Sequence, residues 1–194
     1  MNLYDFDGTI YDGDSCYDIV MYGLKHYPFI TLNSLIKSGV LRKKYKKGKI
    51  EFEIVKEELL SFLFKINNYE LFVKRFVDSH MNKIKSFYKD IQKEEDIIIT
   101  ASYELWIKLF ANNLGIKYVI ATKTDEKGHI IGKNCKGEEK VRRLKEEFKD
   151  KKFINAYSDS SKDIPMLEIA ENAFVVEGNN ILEYKHGYKF KNNK

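Results

Sequence analysis

The chain has 194 residues, of which 43% are hydrophobic, 14% aromatic and 32% charged, and its net charge is +5. This length fits one compact domain or a core that carries a smaller inserted one, and the composition excludes an intrinsically disordered chain. The longest apolar runs, such as residues 97–99, are far too short for a transmembrane helix, so we expect no membrane-spanning segment.

The first ten residues, MNLYDFDGTI, carry acids where a signal peptide needs a basic flank and an apolar stretch. The two cysteines, Cys16 and Cys135, match neither a disulfide framework nor a clustered zinc site. We interpret them as free thiols in a reducing compartment. We therefore expect a soluble cytoplasmic protein.

The positive charge is concentrated in one segment of the chain. Residues 15–92 hold 15 Lys and Arg against 8 Asp and Glu, a balance of +7, whereas the other residues hold 19 against 21, a balance of −2. An asymmetry of this size indicates two parts with different functions.

The first predicted element is a strand from Asn2 to Phe6, which ends at the turn-prone Asp7-Gly8-Thr9. Residues 15–90 read as about four helices, with Pro28 at a helix start. We predict breaks between helices at Gly39, Gly48 and Asn67-Asn68. One apolar helix face has the spacing i, i+4, i+7, i+11 and consists of Val55, Leu59, Phe62 and Ile66.

From Asp96 onward, short apolar strands alternate with helices, which indicates a parallel sheet covered on both faces. The predicted strands cover residues 97–100, 118–121, 153–157 and 174–176. The predicted helices contain residues 105–110, 141–148 and 163–170, the last with Pro165 in its first turn. Three glycines at 128, 132 and 137 indicate a looped or hairpin excursion, and residues 189–194 a frayed tail.

Because the first strand most simply joins this sheet, the helical segment is an insertion. We predict a Rossmann-like α/β core of residues 1–14 and 93–194 and an inserted α-helical cap of residues 15–92.

Polar residues follow the predicted strands at their carboxyl ends, where ligands bind in open parallel sheets. Asp5 and Asp7 lie at the end of the first strand, and Thr100 lies at the end of the second. Asp159 comes just after the strand at residues 153–157, and Asp163 follows it by four residues. Lys140 lies near the start of a helix that opens on the same edge. Clustered carboxylates favour a hard cation such as Mg²⁺, and a lysine with a hydroxyl would hold phosphate oxygens. This combination suits phosphoryl transfer to a carboxylate nucleophile.

These residues resemble the four ordered motifs of the haloacid dehalogenase-like hydrolases. Residues 5–9, DFDGT, resemble the first motif, Thr100 in IIITAS the second and Lys140 in CKGEEKVRRL the third. Residues 158–167, SDSSKDIPML, are similar to the fourth motif, GDSxxDxPML. The helical insertion between motifs one and two resembles the cap of the phosphoserine phosphatase-like subgroup.

The resemblance implies a role for each matched residue. Asp5 would be the nucleophile and a Mg²⁺ ligand, and Asp7 the general acid and base, with its carbonyl on the metal. Thr100 and Lys140 would hold the phosphoryl group. Asp159 would be a further Mg²⁺ ligand, with Asp163 supporting the metal site directly or through water. Substrate contacts are also expected from Ala101 and, at the entrance to the insertion, Asp14.

Two departures from the family pattern affect these expectations. Ser158 stands where motif four usually has glycine, and we expect this small residue to be tolerated. Motif two reads Thr100-Ala101-Ser102 instead of Ser-Gly-Gly, which weakens phosphoserine as the substrate. Because Asp7 is present, the resemblance implies a phosphatase instead of a dehalogenase.

Residues 42–49, RKKYKKGK, contain six basic side chains. They fit a solvated helix end or a rim that attracts anionic substrates, and a patch for nucleic acid or anionic membrane is a third, weaker interpretation.

We therefore expect a Mg²⁺-dependent phosphatase that hydrolyses a small phosphorylated metabolite through an aspartyl-phosphate, with no nucleic-acid partner. The alternatives are a phosphotransferase with the same intermediate and a non-catalytic basic binding module. The sequence leaves the substrate and the oligomeric state open.

Overall fold

A computed structural model describes residues 1–190, so most of the predicted tail, residues 191–194, lies outside the described residues. Within that range the chain forms one six-stranded sheet of order β3-β2-β1-β4-β5-β6. The strands are β1 (Asn2–Tyr4), β2 (Ile97–Tyr103), β3 (Tyr118–Thr122), β4 (Asn155–Ser158), β5 (Asn172–Glu177) and β6 (Asn180–Glu183). The first five strands run parallel, as predicted, and β6 is antiparallel to β5.

The central strand β1 is buried on both faces of the sheet. Leu3 lies in register with Ile97 on one side and Ala156 on the other. Leu3 and Ile97 belong to the apolar cluster on one face, while Tyr4 belongs to the cluster on the opposite face. This alternation follows from the two-residue period of a strand, so successive side chains of β1 enter the two apolar clusters in turn.

Eight α-helices surround the sheet in the described part of the chain. Five lie in the insertion: α1 (Ser15–His26), α2 (Pro28–Lys46), α3 (Phe52–Leu60), α4 (Tyr69–His80) and α5 (Ser86–Ile91). The other three are α6 (Glu104–Leu114), α7 (Glu138–Glu147) and α8 (Ile164–Leu167). The fold class is therefore the predicted α/β sheet with helices on both faces, to which the antiparallel β6 is added.

Several predicted boundaries in the helical segment are wrong. There are five helices instead of about four, and Gly39 lies inside α2 instead of ending a helix. Helix α3 ends at Leu60, so Phe62 and Ile66 are outside it, although both are buried. The breaks at Gly48 and Asn68 are confirmed by their positive φ angles of 65° and 58°.

In the sheet region the corrections are smaller. The last predicted helix is much shorter than residues 163–170, since α8 ends at Leu167. Strand β6 was not predicted. The expected excursion after β3 is present as a short hairpin in which Thr124 pairs antiparallel with Ile130.

The helical segment packs on the same face of the sheet as α6. The rings of Phe76 on α4 and Phe110 on α6 are 6.2 Å apart at their centroids, and Phe110 also packs against Phe6. One apolar cluster thus joins the insertion to the sheet. Along residues 1–190, no helix is both long enough and apolar enough to cross a membrane.

Candidate active site

Strand β1 delivers two acids to the carboxyl edge of the sheet. Asp5 follows directly after the strand, and its backbone N–H donates to the carbonyl of Tyr157 on β4 at 3.0 Å. The chain then turns sharply, because three N–H groups, those of residues 9–11, donate to the carbonyl of Phe6. This turn brings Asp7 back toward the start of α1.

Lys140 connects the first and fourth predicted motifs. Its Nζ donates to Asp5 Oδ1 at 2.7 Å and lies 2.9 Å from Asp163 Oδ1. The other oxygen of Asp163 accepts from the Ser158 hydroxyl at 2.8 Å. All four side chains are buried, and they come from three separate stretches of the chain. The structure therefore brings Asp5, Lys140 and Asp163 together as the sequence predicts.

The charges in this cluster do not balance. Burial raises the pKa of Asp5 well above its usual value, and Lys140 opposes this while Asp163 and Asp159 add to it. Burial alone would lower the pKa of Lys140, but the carboxylates of Asp163 and Asp5 outweigh it and raise that pKa. One buried ammonium therefore faces three carboxylates, and the cluster keeps an excess of negative charge.

The carboxylate of Asp7 accepts two hydrogen bonds of the same length. The backbone N–H of Ser15 donates to Asp7 Oδ1 and the Ser102 hydroxyl donates to Asp7 Oδ2, both at 2.6 Å. Burial raises the pKa of Asp7, the nearby Asp14 adds to it, and the bonds from Ser102 and Ser15 work against it. A raised pKa suits a carboxyl group that has to donate a proton near neutral pH.

Motif two differs from the prediction in its local structure. Thr100 does not end its strand, because β2 continues to Tyr103, but the pairing with β3 shifts register between Ile99 and Tyr103. The Thr100 hydroxyl oxygen accepts from the N–H of Ser102 at 3.1 Å. The irregular stretch after Ile99 thus frees the backbone around Ala101 from ladder pairing and aims Ser102 at Asp7.

Asp159 lies beside the turn after β1. Its backbone N–H donates to the Thr9 hydroxyl at 3.0 Å, and its carboxylate lies against the backbone of Gly8. Burial raises the pKa of Asp159 to about 6, with Asp163 adding to the effect and Lys85 opposing it. Gly8 has φ 78°. A side chain there would be strained and would also collide with the carboxylate.

The residues present fit Mg²⁺. Their donors are carboxylate oxygens, and the excess negative charge around Asp5 and Asp159 is what a divalent cation would neutralise. Within residues 1–190, no three His, Cys, Asp and Glu side chains form a complete metal site. Mg²⁺ usually takes one or two carboxylates and fills its other positions with water and phosphate oxygens. Since Lys140 and Ser158 engage both oxygens of Asp163, that residue suits a supporting role.

Lys56 was not identified from the sequence. It lies on α3, is buried, and donates to the Ala101 carbonyl at 2.6 Å and to Asn134 Oδ1 at 2.9 Å. Its Nζ is also 4.9 Å from the centre of the Tyr103 ring. Burial lowers the pKa of Lys56, with Cys16 and Asp7 acting in the opposite direction. Lys56 thus connects the helical segment to motif two, and no local sequence pattern marks it as buried, because it lies outside the predicted apolar face of this helix.

Other predicted residues have simpler surroundings. Asp14 is exposed and caps α1, where Asp14 Oδ1 accepts from the N–H of Tyr17 at 3.0 Å. Asp163 stands at the start of α8, but its side chain makes no capping bond there. Ser158 is tolerated in place of glycine, because its hydroxyl bonds both Asp163 and the N–H of Ser160.

Comparison with known proteins matches residues 3–168 to the model of the haloacid dehalogenase-like hydrolase family. The chain belongs to this family. The match includes all four predicted motifs and confirms the resemblance from which the site was predicted. Membership supports a hydrolase that acts on phosphoric monoesters.

Two solved structures show the same fold. A protein of unknown function from Bordetella pertussis Tohama I has a TM-score of 0.71 and 21% identity, with 89% of this chain and 87% of that chain covered. A phosphoserine phosphohydrolase-like protein from Francisella tularensis subsp. tularensis SCHU S4 has a TM-score of 0.58 and 18% identity, with 89% and 86% covered. At these identities the likeness shows the fold alone, and it extends over about nine tenths of this chain.

A curated relative matches over a shorter stretch. Protein CicA of Caulobacter vibrioides is 40% identical over 82 residues, which span 39% of this chain and 37% of CicA. The match therefore covers well under half of either protein.

Proposed function

We propose that the protein is a Mg²⁺-dependent phosphatase that hydrolyses the phosphomonoester of a small metabolite through an aspartyl-phosphate on Asp5. The observation that carries this proposal is the buried contact between Lys140 and both Asp5 and Asp163, at 2.7 and 2.9 Å. It fixes one carboxylate oxygen of Asp5 and leaves the other to attack phosphorus.

In the first step, a carboxylate oxygen of Asp5 forms a bond to phosphorus and the bond to the leaving alcohol oxygen breaks. Protonated Asp7 gives its proton to that oxygen. In the second step, Asp7 takes a proton from water as the water attacks phosphorus, and the bond to Asp5 breaks to release inorganic phosphate. The hydrogen bonds from Ser15 and Ser102 hold Asp7 in one orientation for both steps.

We assign Asp5, Asp159 and the carbonyl of Asp7 as the groups that would hold Mg²⁺, with Asp163 positioned through Lys140. A bound Mg²⁺ would neutralise charge on the phosphate oxygens. Thr100, Lys140 and the backbone at Ala101 would bind the remaining phosphate oxygens, because motif two and α7 open on the same edge of the sheet.

The site is closed in this structure. Asp5, Thr100 and Lys140 expose no more than 7% of their surfaces. We assign residues 15–92 as a cap over a core of residues 1–14 and 93–194, and the cap has to move for substrate to enter. The Lys56 contact with Ala101 would form on closure.

A cytoplasmic location stays a prediction.

The test is hydrolysis of an aryl phosphate by the purified chain, with Mg²⁺ and with a chelator. Asp5→Asn should lower the rate by about 10³-fold or more, because it removes the nucleophile. Asp12→Asn is the matched control, since this acid lies in the same turn with an exposed side chain and should leave the rate unchanged.

Metal-dependent turnover that survives Asp5→Asn would contradict the proposal. If neither chain hydrolyses the aryl phosphate, binding of beryllium fluoride with Mg²⁺ is measured, because it mimics the aspartyl-phosphate without a leaving group. No binding to the unmodified chain would also contradict the proposal.

A further inference from the structure

Helix α2 has its apolar and polar faces reversed. Its outward face exposes four apolar side chains at the spacing i, i+3, i+7, i+11. They are Phe29, Leu32, Ile36 and Val40, with 88%, 47%, 60% and 54% of their surfaces exposed. This set is called the α2 stripe below. An isolated exposed apolar side chain is ordinary, but a continuous row along one helix face marks an interaction surface.

The fully buried side chains of α2 carry hydroxyl groups, and beside them only the partly buried Ile30 of this helix packs against the large apolar cluster of the described chain. Thr31, Ser34 and Ser38 are buried, and the hydroxyl of Ser34 lies 2.9 Å from that of Ser61 at the end of α3. The Thr31 hydroxyl donates to the carbonyl of Tyr27 within α2's own first turn. The α2 stripe therefore makes no contribution to the core of the described chain, and its apolar character needs another partner.

The charge carried by α2 itself and by the basic segment at its end has one sign. No Asp or Glu occurs between residues 19 and 50, and six basic side chains lie within residues 42–49. Lys43 continues the stripe three residues after Val40, and its neighbours in the basic segment are exposed as well. A row of apolar side chains that ends in a cluster of cations matches the chemistry of an anionic lipid surface, where acyl chains lie beneath negative headgroups.

From this arrangement we propose that α2 docks the protein on anionic lipid bilayers, with the α2 stripe inserted at the headgroup boundary and residues 42–49 on the headgroups. Nucleic acid fits less well, because aliphatic side chains such as Ile36 and Val40 offer nothing to a polyanion. A second copy of the chain would bring no carboxylate from α2 to pair with the lysines.

The docking surface is connected to the candidate active site through α3 and shares none of its residues. Helix α3 packs against α2, with the rings of Tyr45 and Phe52 5.4 Å apart, and α3 carries Lys56, which contacts Ala101. Docking would therefore bring the helical segment and the motif-two edge toward the lipid surface. The proposal does not depend on the phosphatase activity, since binding is measured without turnover.

The experiment is sedimentation of the full chain with vesicles of phosphatidylcholine alone and of phosphatidylcholine mixed with phosphatidylglycerol. We expect binding to the mixed vesicles only, and much weaker binding in about 1 M salt, where the screening length is about 3 Å. Lys43→Gln with Lys44→Gln should weaken partitioning about 25-fold, at about fivefold per charge. Ile36→Ser with Val40→Ser should weaken it by about tenfold or more.

Matched controls lie just before β4, at the amino ends of the parallel strands and therefore at the edge of the sheet opposite the candidate active site. Ile154 is 48% exposed and Lys151 and Lys152 are exposed, so Ile154→Ser and the pair Lys151→Gln with Lys152→Gln remove the same chemistry elsewhere. These controls should bind vesicles like the unmodified chain. Because every altered side chain is exposed, all variants should keep the same thermal unfolding midpoint, which circular dichroism checks.

A second measurement reports insertion directly. Phe29→Trp places an indole on the α2 stripe, and its emission should shift to shorter wavelength with mixed vesicles but not with RNA. Equal binding to both vesicle types, equal losses in the control variants, or an unshifted emission would overturn the proposal. The proposal would also be overturned if the unmodified chain does not bind vesicles and is a dimer that Ile36→Ser with Val40→Ser converts to a monomer. The α2 stripe would then be covered by a second copy of the chain.

Discussion

At the carboxyl edge of the sheet the molecule buries charged side chains, whereas along α2 it exposes apolar side chains and buries hydroxyls. At the sheet edge the burial of charge is partly compensated, because Lys140 lies between two carboxylates and Ser158 donates to one of them. On α2 the chain offers no such compensation for the exposed apolar surface. The buried charges of the first region have partners within the chain, although an excess of negative charge remains there, whereas the α2 stripe is left largely exposed.

Buried charge and exposed apolar surface are both unusual, but they have different physical causes. Buried charges persist only when partners stabilise them, so their partners identify a preorganised site. Exposed apolar rows persist when an external partner covers them, so they identify a docking surface. Variants that remove one partner at the sheet edge should therefore cost stability, and variants on the outer side of α2 should not.

The largest effect is expected at Lys140. Lys140→Met leaves the carboxylates of Asp5 and Asp163 buried without their cation, and the free energy of unfolding should fall by about 3–5 kcal/mol. Urea unfolding without metal measures this loss. Lys145→Met is the control, because Lys145 is exposed on the same helix and its loss should stay within about 0.5 kcal/mol. Equal losses in the two variants would show that the charge cluster does not stabilise the fold.

Alanine substitutions at Gly8 and Gly115 distinguish the effect of backbone strain from the effect of displacing Asp159. Their φ angles are 78° and 70°, so backbone strain alone should cost about 1–2 kcal/mol when alanine replaces either glycine. A Cβ on Gly8 would lie 2.1 Å from Asp159 Oδ2, while a Cβ on Gly115 would meet nothing within 4 Å. Gly8→Ala should therefore lower phosphatase activity about 10²-fold by displacing the carboxylate, and Gly115→Ala should leave it unchanged.

Steady-state hydrolysis of the aryl phosphate at saturating Mg²⁺ checks this pair. Activity that falls equally in Gly8→Ala and Gly115→Ala would mean that general destabilisation, and not the position of Asp159, is responsible.

The residues at the sheet edge could be predicted because each motif can be identified from neighbouring residues alone. Each motif is a short run next to a strand, and the ends of parallel strands meet at one edge, so Asp5 and Asp159 could be placed near each other without coordinates. Strand β6 could not be predicted, because all four of its residues are exposed and it exists only by pairing with β5. Lys56 and Ser102 act across about 45 and 95 positions of the chain, and such distant contacts leave no local pattern.

The helical segment was harder to predict, because apolar periodicity there does not distinguish one helix from two. Val55 and Phe62 keep a helical spacing across a real break, since the chain leaves the α-helix after Leu60 and a second buried turn follows. Gly39 shows the opposite error. A glycine inside an exposed helix costs only about 1 kcal/mol, which the neighbouring turns of α2 tolerate.

Gly23 tests the inner side of the helical segment. It lies on α1, and a Cβ there would be 2.4 Å from Phe62 and 2.9 Å from the Thr31 hydroxyl. Gly23→Ala should lower the free energy of unfolding by about 1–3 kcal/mol, because the buried Phe62 ring would have to move. Urea unfolding with an unchanged dependence on denaturant would show that the native packing, and not the unfolded state, is altered.

Gly39 tests the outer side of the same segment and should give the smallest effect, with the opposite sign. A Cβ on Gly39 would meet nothing within 4 Å, and its backbone is already helical. Gly39→Ala should therefore raise the free energy of unfolding by about 0.5–1 kcal/mol, because alanine loses less backbone entropy in a helix. A loss at Gly39 like that at Gly23 would mean that this part of α2 packs against the chain, and the contrast between its two faces would fail. A gain in stability at Gly39 together with a loss at Gly23 would show that the packed core extends to the inner side of α2, where Thr31 lies, and not to its outer side.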